Sequence, residues 1–405
     1  QRYPSEKLLV KRKKTGSAVD HILRTAEHNK VDLFWASSPA PFLELKQRQR
    51  LAAQKLGSLD IPRRLGSYPL HDPEGFFFGF AGSGFGMMWN IRYLQAKQLP
   101  VPTSWPELTA PAYAGHIGMS SPARSGTTHV IVEAMLQEYG WERGWQIVRG
   151  IAGNLQRITR RSYDVPVGVR DGEFGIGLVI DYYALSAMAR YYPVDFSYPT
   201  TATLLPASIA VVEGAPNPEA ALAFIEFLLA PEGQQMLLDK NIRRLPVRPE
   251  VYRAVPADYP NPHRDQWLRD TLAFDVALSR QRYQLVNALF DALVTQRLSE
   301  LIEATSGLHQ LRASQTSAPN PDLDDAIGEV ERLLDVLPVD AAQSTDTAYT
   351  AQFDDEGQRD AFRERWDAQA KASYRQAREL AEQAVKASGA GQGGNANVLK
   401  TADTP

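Results

Sequence analysis

Gly115-His116-Ile117-Gly118-Met119-Ser120 leads into Ser121-Pro122-Ala123-Arg124-Ser125-Gly126-Thr127-Thr128-His129 and then Val130 to Tyr139. The first six residues read as a strand that enters a loop, and Gly126 to Tyr139 reads as a helix. Strand, polar loop and helix in that order is the unit of an α/β fold, whose ligand loops sit at the carboxyl ends of the strands.

The unit recurs along the chain. Leu8-Leu9-Val10 reads as a short strand, and Ser17 as the cap of a helix with Val19, Ile22 and Leu23 at helical spacing. Val31 to Ala36 is a buried strand. Phe76 to Phe80 is another, followed by Gly82-Ser83-Gly84-Phe85-Gly86 and Met87-Met88-Trp89. Further on, Phe174 to Ile180 reads as a strand, Tyr182 to Tyr191 as a helix, and Ala207 to Val212 as a strand. A helix from Pro218 to about Leu229 places Ala221, Phe224, Ile225 and Leu228 on one face. The alternation predicts an α/β fold with mainly parallel sheets.

Leu272 to about Ile302 reads as one or two amphipathic helices. After about Gly307 the character changes. Pro321 to Lys386 hold sixteen acidic and eight basic side chains, in helical blocks Leu323 to Leu337 and Glu356 to Ala387. From Ser388 onward Gly, Ala and Asn dominate, the composition of a flexible tail.

The bulk numbers narrow the classes. The chain has 405 residues, 43% apolar and 22% charged, enough for two or three domains with a sizeable core. A formal net charge of -3 gives no global basic field for nucleic acid or anionic membrane. With no cysteine there is no disulfide, thiolate nucleophile or cysteine-ligated metal. No apolar run approaches the length of a membrane span. The start, Gln1-Arg2-Tyr3-Pro4, shows no signal peptide, and the abrupt first strand suggests that a preceding piece is missing.

The loop from Ser121 to Thr128 carries the most chemistry. Backbone N–H groups at a helix start favour an anion. Hydroxyls of Ser121, Ser125, Thr127 and Thr128 can add hydrogen bonds beside Gly126, and the fork of Arg124 can take two phosphate oxygens. Ser125 and Thr127 can equally be ordinary caps. Ser37 and Ser38 follow the strand ending at Ala36; they can grip an anion or cap a helix that begins at Pro39. Arg161 and Ser162, within Thr159-Arg160-Arg161-Ser162, can close on a ligand or form a solvated basic turn. Asp181 can accept ligand hydroxyls. Tyr182 and Tyr183 can line a cleft, bind a hard metal as phenolates, or pack in a helix. Catalytic patterns are weak: Gly82-Ser83-Gly84 completes no nucleophile elbow or dinucleotide fingerprint, the seven histidines lack metal-ligand spacing, and no carboxylate pair stands out.

Several segments together resemble a known family. They are Val31 to Pro39, Pro102-Thr103-Ser104-Trp105-Pro106-Glu107-Leu108, Ser121 to His129, Gly177 to Tyr182, Glu213 to Ala221, Pro231-Glu232-Gly233-Gln234, and Phe274-Asp275-Val276 with Arg282 and Phe290-Asp291. From about Leu8 to Leu301 the chain resembles bacterial periplasmic solute-binding proteins of the ferric-iron-binding cluster, which have the type II fold. Within that cluster it is similar to the phosphoglycerate-type and sugar-phosphate binders.

The resemblance implies two α/β lobes joined by crossing strands, with a ligand cleft faced by Ser37-Ser38, Ser121 to Thr128, Ser162 and Asp181. It implies a helical extension beyond the minimal fold, and a missing first strand, loop and helix. The expected division is 1–105 and 206–306 for the first lobe, 106–205 for the second, 307–387 for the extension and 388–405 for the tail. It further implies a periplasmic monomer without cofactor or catalysis, which captures an organic phosphate for an ABC-type permease or a membrane sensor kinase. Ferric iron held by Tyr182 and Tyr183 is the alternative cargo. A phosphate-ester enzyme is the alternative of another class.

Overall fold

Residues 8–13, 15–57, 60–257, 259–315 and 320–388 are described by the structure, a computed structural model. The strands are β1 (Leu33–Ala36), β2 (Leu51–Ala52), β3 (Arg64–Leu65), β4 (Tyr68–Pro69), β5 (Phe78–Asn90), β6 (Ile117–Ser120), β7 (Leu155–Thr159), β8 (Ile176–Ile180), β9 (Val194–Ser197), β10 (Thr203–Val212) and β11 (Leu245–Pro246). Among the described residues nine strands make one sheet in the order β1-β10-β5-β8-β6-β7, with β2 on β10 and both β9 and β11 on β5.

Strand β5 organises this sheet, because all thirteen of its residues are buried. Its first half pairs antiparallel with β10 and β11; its second half pairs antiparallel with β8 and β9. One strand thus crosses from the lobe around β1, β10 and β11 to the lobe around β6, β7 and β8. β10 returns beside it, Thr203 opposite Phe85.

This corrects the expectation of mainly parallel sheets. Parallel pairing is confined to β6 with β7 and with β8. A chain that enters the second lobe on one crossing strand and leaves on its neighbour must run the two in opposite directions. The glycine-rich run 82–86 is likewise the middle of β5 and not an interruption. At Gly84 a Cβ would stand 2.3 Å from the Tyr198 ring and 2.9 Å from the Asp181 carboxylate, so only glycine lets these three segments meet.

Most expected helices form. Those at Gly126–Tyr139, Pro218–Leu229 and Glu356–Ala387 keep the expected bounds, and Asp181–Ala189 begins one residue early. Two local expectations fail. Ser17 lies inside a helix that starts at Thr15, so it is no cap. Leu8 to Val10 pair with no strand and are exposed, because an extended segment becomes a strand only beside another edge. The tail expected from Ser388 lies, beyond that residue, outside the described residues.

The region after Gly307 is not a solvated appendage. Leu323, Val330, Phe353, Trp366, Tyr374 and Ala381 are buried in one core with Ile117, Met119, Trp145 and Ile176 of the β6–β8 lobe. Hydrogen bonds fix the same seam. Trp141 Nε1 donates to Val339 O at 2.8 Å, and Arg149 Nη1 to Val336 O at 2.7 Å. Tyr374 OH donates to Leu293 O at 2.9 Å. Inside it, Arg282 pairs with Glu133 at 2.6 Å, both fully enclosed. Burial pushes the Glu133 carboxyl up, and the Arg282 guanidinium opposes that push.

Candidate ligand site between the lobes

The candidate residues stand at the carboxyl ends of β1, β6 and β8 and, with Arg244, just before β11. Asp181 is one of them. It follows β8 and is fully buried. Its Oδ2 accepts from Gly84 N at 2.8 Å and Tyr198 OH at 3.0 Å, and its Oδ1 from Tyr182 N at 2.7 Å. Burial raises its pKa to about 6, against the pull of these donors and of Arg244. The reading of Asp181 as an acceptor of ligand hydroxyls is therefore corrected. A buried carboxylate needs donors, and its own chain supplies three.

Arg244 is the residue that sequence reading missed. Its Nη2 donates to Ser37 Oγ at 3.1 Å and its Nη1 to Ser83 Oγ at 3.3 Å. Its guanidinium lies 4.0 Å from the centre of the Tyr182 ring. Arg244 belongs to the lobe of β11, and Tyr182 to the lobe of β8, so this stack joins the lobes. No motif announced it: Arg243-Arg244 looks like any basic turn, and Ser37 is 207 residues away. Neither Ser37 nor Ser38 caps the next helix, whose cap position is Pro39. Ser38 is half-buried.

Tyr182 and Tyr183 stack with ring centres 4.3 Å apart. Burial pushes the Tyr183 phenol up, with Tyr182 adding to the push while Arg244 and Arg12 oppose it. The guanidinium beside the pair repels a metal cation, and the buried Tyr183 phenol resists ionisation. Among the described residues no cluster of three or more His, Asp or Glu has metal-binding geometry.

The loop after β6 divides its side chains. Ser121 is buried and donates to Asp291 Oδ1 at 3.2 Å. Ser125 Oγ accepts from Thr128 N at 3.1 Å, which makes it the N-cap of helix Gly126–Tyr139. Arg124, Ser125 and Gly126 lie on the surface of a cavity of about 370 Å³. Thr128 is buried and Thr127 half-buried, and neither lines that cavity. Ser121 and Ser125 meet partners within the chain, Asp291 and Thr128 N. Thr15, Gly16 and Ser17 form the cavity's second side, where Thr15 Oγ1 would sit 3.5 Å from a Cβ on Gly126. The starts of these two helices therefore lie close together on the cavity wall that Arg124 also lines. Arg359 and Arg363 of the long C-terminal helix line the same cavity.

Arg161 and Ser162 do not join this cavity. Arg161 is exposed; its Nη1 donates to Tyr163 OH at 2.8 Å and its guanidinium stacks on that ring. Its backbone N–H donates to Asp164, a local turn at the end of the outermost strand β7. Ser162 is half-buried in that turn.

The crossing of β5 and β10 between two lobes is the architecture of a two-lobed α/β fold. Residues 29–271 match the family described as bacterial extracellular solute-binding protein, and the chain belongs to that family. The chain is 34% identical over 362 residues to the phosphoglycerate transport regulatory protein PgtC of Salmonella typhimurium, covering 87% of this chain and 85% of that one. Among solved structures, the fold is similar to the periplasmic binding protein AfuA from Actinobacillus pleuropneumoniae with fructose-6-phosphate bound. The TM-score is 0.63 at 17% identity, over 72% of this chain and 91% of that one. Iron-bound HitA from Pseudomonas aeruginosa gives a TM-score of 0.56 at 17% identity, over 71% and 92%. No described helix is long and apolar enough to cross a membrane.

Proposed function

We propose that this solute-binding protein captures a small organic phosphate between its lobes, in the periplasm, and reports or delivers it to a membrane permease or sensor kinase without chemical change. The observation that carries this reading is that Arg124 lines one cavity with the starts of helices Thr15–Arg24 and Gly126–Tyr139. The positive end of a helix and a planar guanidinium suit a phosphate ester. The name of the 34% identical relative and the sugar phosphate in the AfuA structure support the same class.

Binding would stabilise the closed arrangement, since a ligand touching both lobes favours the state in which both can reach it. β5 and β10 supply the hinge. Arg244 on Tyr182 already joins the lobes beside it.

Ferric iron is the weaker reading. The Tyr182–Tyr183 pair invites it, but the Arg244 guanidinium on the Tyr182 ring puts a positive charge beside the pair, which repels a metal cation, and burial raises the Tyr183 phenol.

Thermal-shift screening of the full chain against phosphoglycerates, sugar phosphates and their unphosphorylated parents tests the proposal. Stabilisation by phosphorylated compounds alone is expected. Stabilisation by none of them, or equally by the parents, would remove it.

A further inference from the structure

We propose that the helical region beyond Gly307 forms a wall of the ligand site, and that Arg359 and Arg363 select a phosphate ester carrying a second anionic group such as a carboxylate. The proposal rests on the phosphate reading above and adds the class of ligand.

Arg359 and Arg363 stand one turn apart on the first turns of helix Glu356–Ala387, so they share a face. That end of the helix is held firmly. Phe353 is fully buried and stacks on Trp366 with ring centres 5.5 Å apart, and both lie in the core of the β6–β8 lobe. Arg359 Nη1 donates to Phe353 O at 2.8 Å, which fixes its guanidinium and leaves the other N–H groups of the fork. Arg363 pairs with Asp360 at 3.0 Å, a partly exposed ion pair that is weak in water.

Three guanidiniums (Arg124, Arg359 and Arg363) and two carboxylates (Asp20 and Asp291) line the cavity. Asp291 is engaged by Ser121. The formal balance is one positive charge before the helix starts are counted. One phosphate satisfies Arg124 and the helix starts. The arginines of the extension belong to a separate element, and a cavity of about 370 Å³ has room for more than a phosphate group. A second anionic group on the same small molecule would meet them.

The test is calorimetric titration of the full chain with phosphoglycerate and with glycerol phosphate, in which a hydroxymethyl group replaces the carboxylate. The wild type should bind phosphoglycerate about 10- to 100-fold more tightly, the scale of one charge-assisted contact. In the double variant Arg359→Gln, Arg363→Gln that ratio should shrink to about threefold or less, with glycerol phosphate affinity retained. A variant that keeps the wild-type ratio, or that loses both ligands equally, would overturn the role given to the extension. If the wild type binds neither compound nor any other phosphate ester, the phosphate reading itself fails. Retained binding of glycerol phosphate also shows that the variant is folded.

Discussion

The guanidinium of Arg244 rests 4.0 Å from the ring centre of Tyr182 while its two terminal nitrogens reach Ser37 and Ser83. One side chain therefore ties the end of β1, the middle of β5 and the loop after β8. A cation on an aromatic face, partly withdrawn from water, is worth about 0.5–2 kcal/mol, and the hydroxyl contacts add to it. Arg244→Met keeps the stem and removes the fork. It should lower the stability of the folded chain by about 2 kcal/mol, the scale of the lost stack and hydroxyl contacts together. Urea unfolding checks this, and Arg244→Lys should recover only part, because a point charge cannot reach both serines.

Ser125 is a cap before it is a ligand contact. Ser125→Ala should lower stability by about 1 kcal/mol through the lost bond to Thr128 N. Ligand affinity should change far less than on loss of Arg124. Urea unfolding and calorimetry of the same variant separate the two effects.

The Glu133–Arg282 pair sits where the β6–β8 lobe meets the later helices. Removing one partner strands the other charge. Arg282→Met should cost about 3–5 kcal/mol, whereas the double variant Arg282→Met, Glu133→Leu should recover much of that loss. Chemical denaturation of the full chain measures both.

His71 gives the acid sensitivity a direction. Its two ring nitrogens are buried without partners, and burial pushes its pKa down to about 4. An unfolded chain takes up that proton near 6.5. Between those values the unfolded state binds more protons, so stability falls as pH falls through the window. His129, pushed down to about 4 by burial, acts in the same sense. Asp181 acts oppositely: raised to about 6 in the folded state, it adds stability as pH falls from about 6 towards 3.8. His71→Phe should therefore lose less stability between pH 7 and pH 5 than the wild type, by about 2 kcal/mol. Thermal denaturation at the two pH values reads the difference.

Local signals in the sequence account for much of the fold. Helices at Gly126, Pro218 and Glu356 carry their periodicity and their caps or prolines within a few residues. Strand direction did not follow, because whether β5 and β10 run parallel depends on how the chain enters and leaves a lobe. The residue types of the loop around Arg124, from which an anion site is proposed, were legible. The sharing of its hydroxyls was not, since the partner of Ser121 is Asp291, 170 residues on. Arg244, Arg359 and Arg363 were silent for the same reason: each looks like a solvated arginine until distant chain is packed beside it.

Arg124, just before the start of helix Gly126–Tyr139, is proposed to take the phosphate of the ligand. Calorimetry of wild type and Arg124→Ala with a bound phosphate ester and its unphosphorylated parent tests this. The variant is expected to lose about 2 kcal/mol of affinity for the ester, and the parent to bind neither protein. Equal affinity of the two proteins for the ester would contradict it.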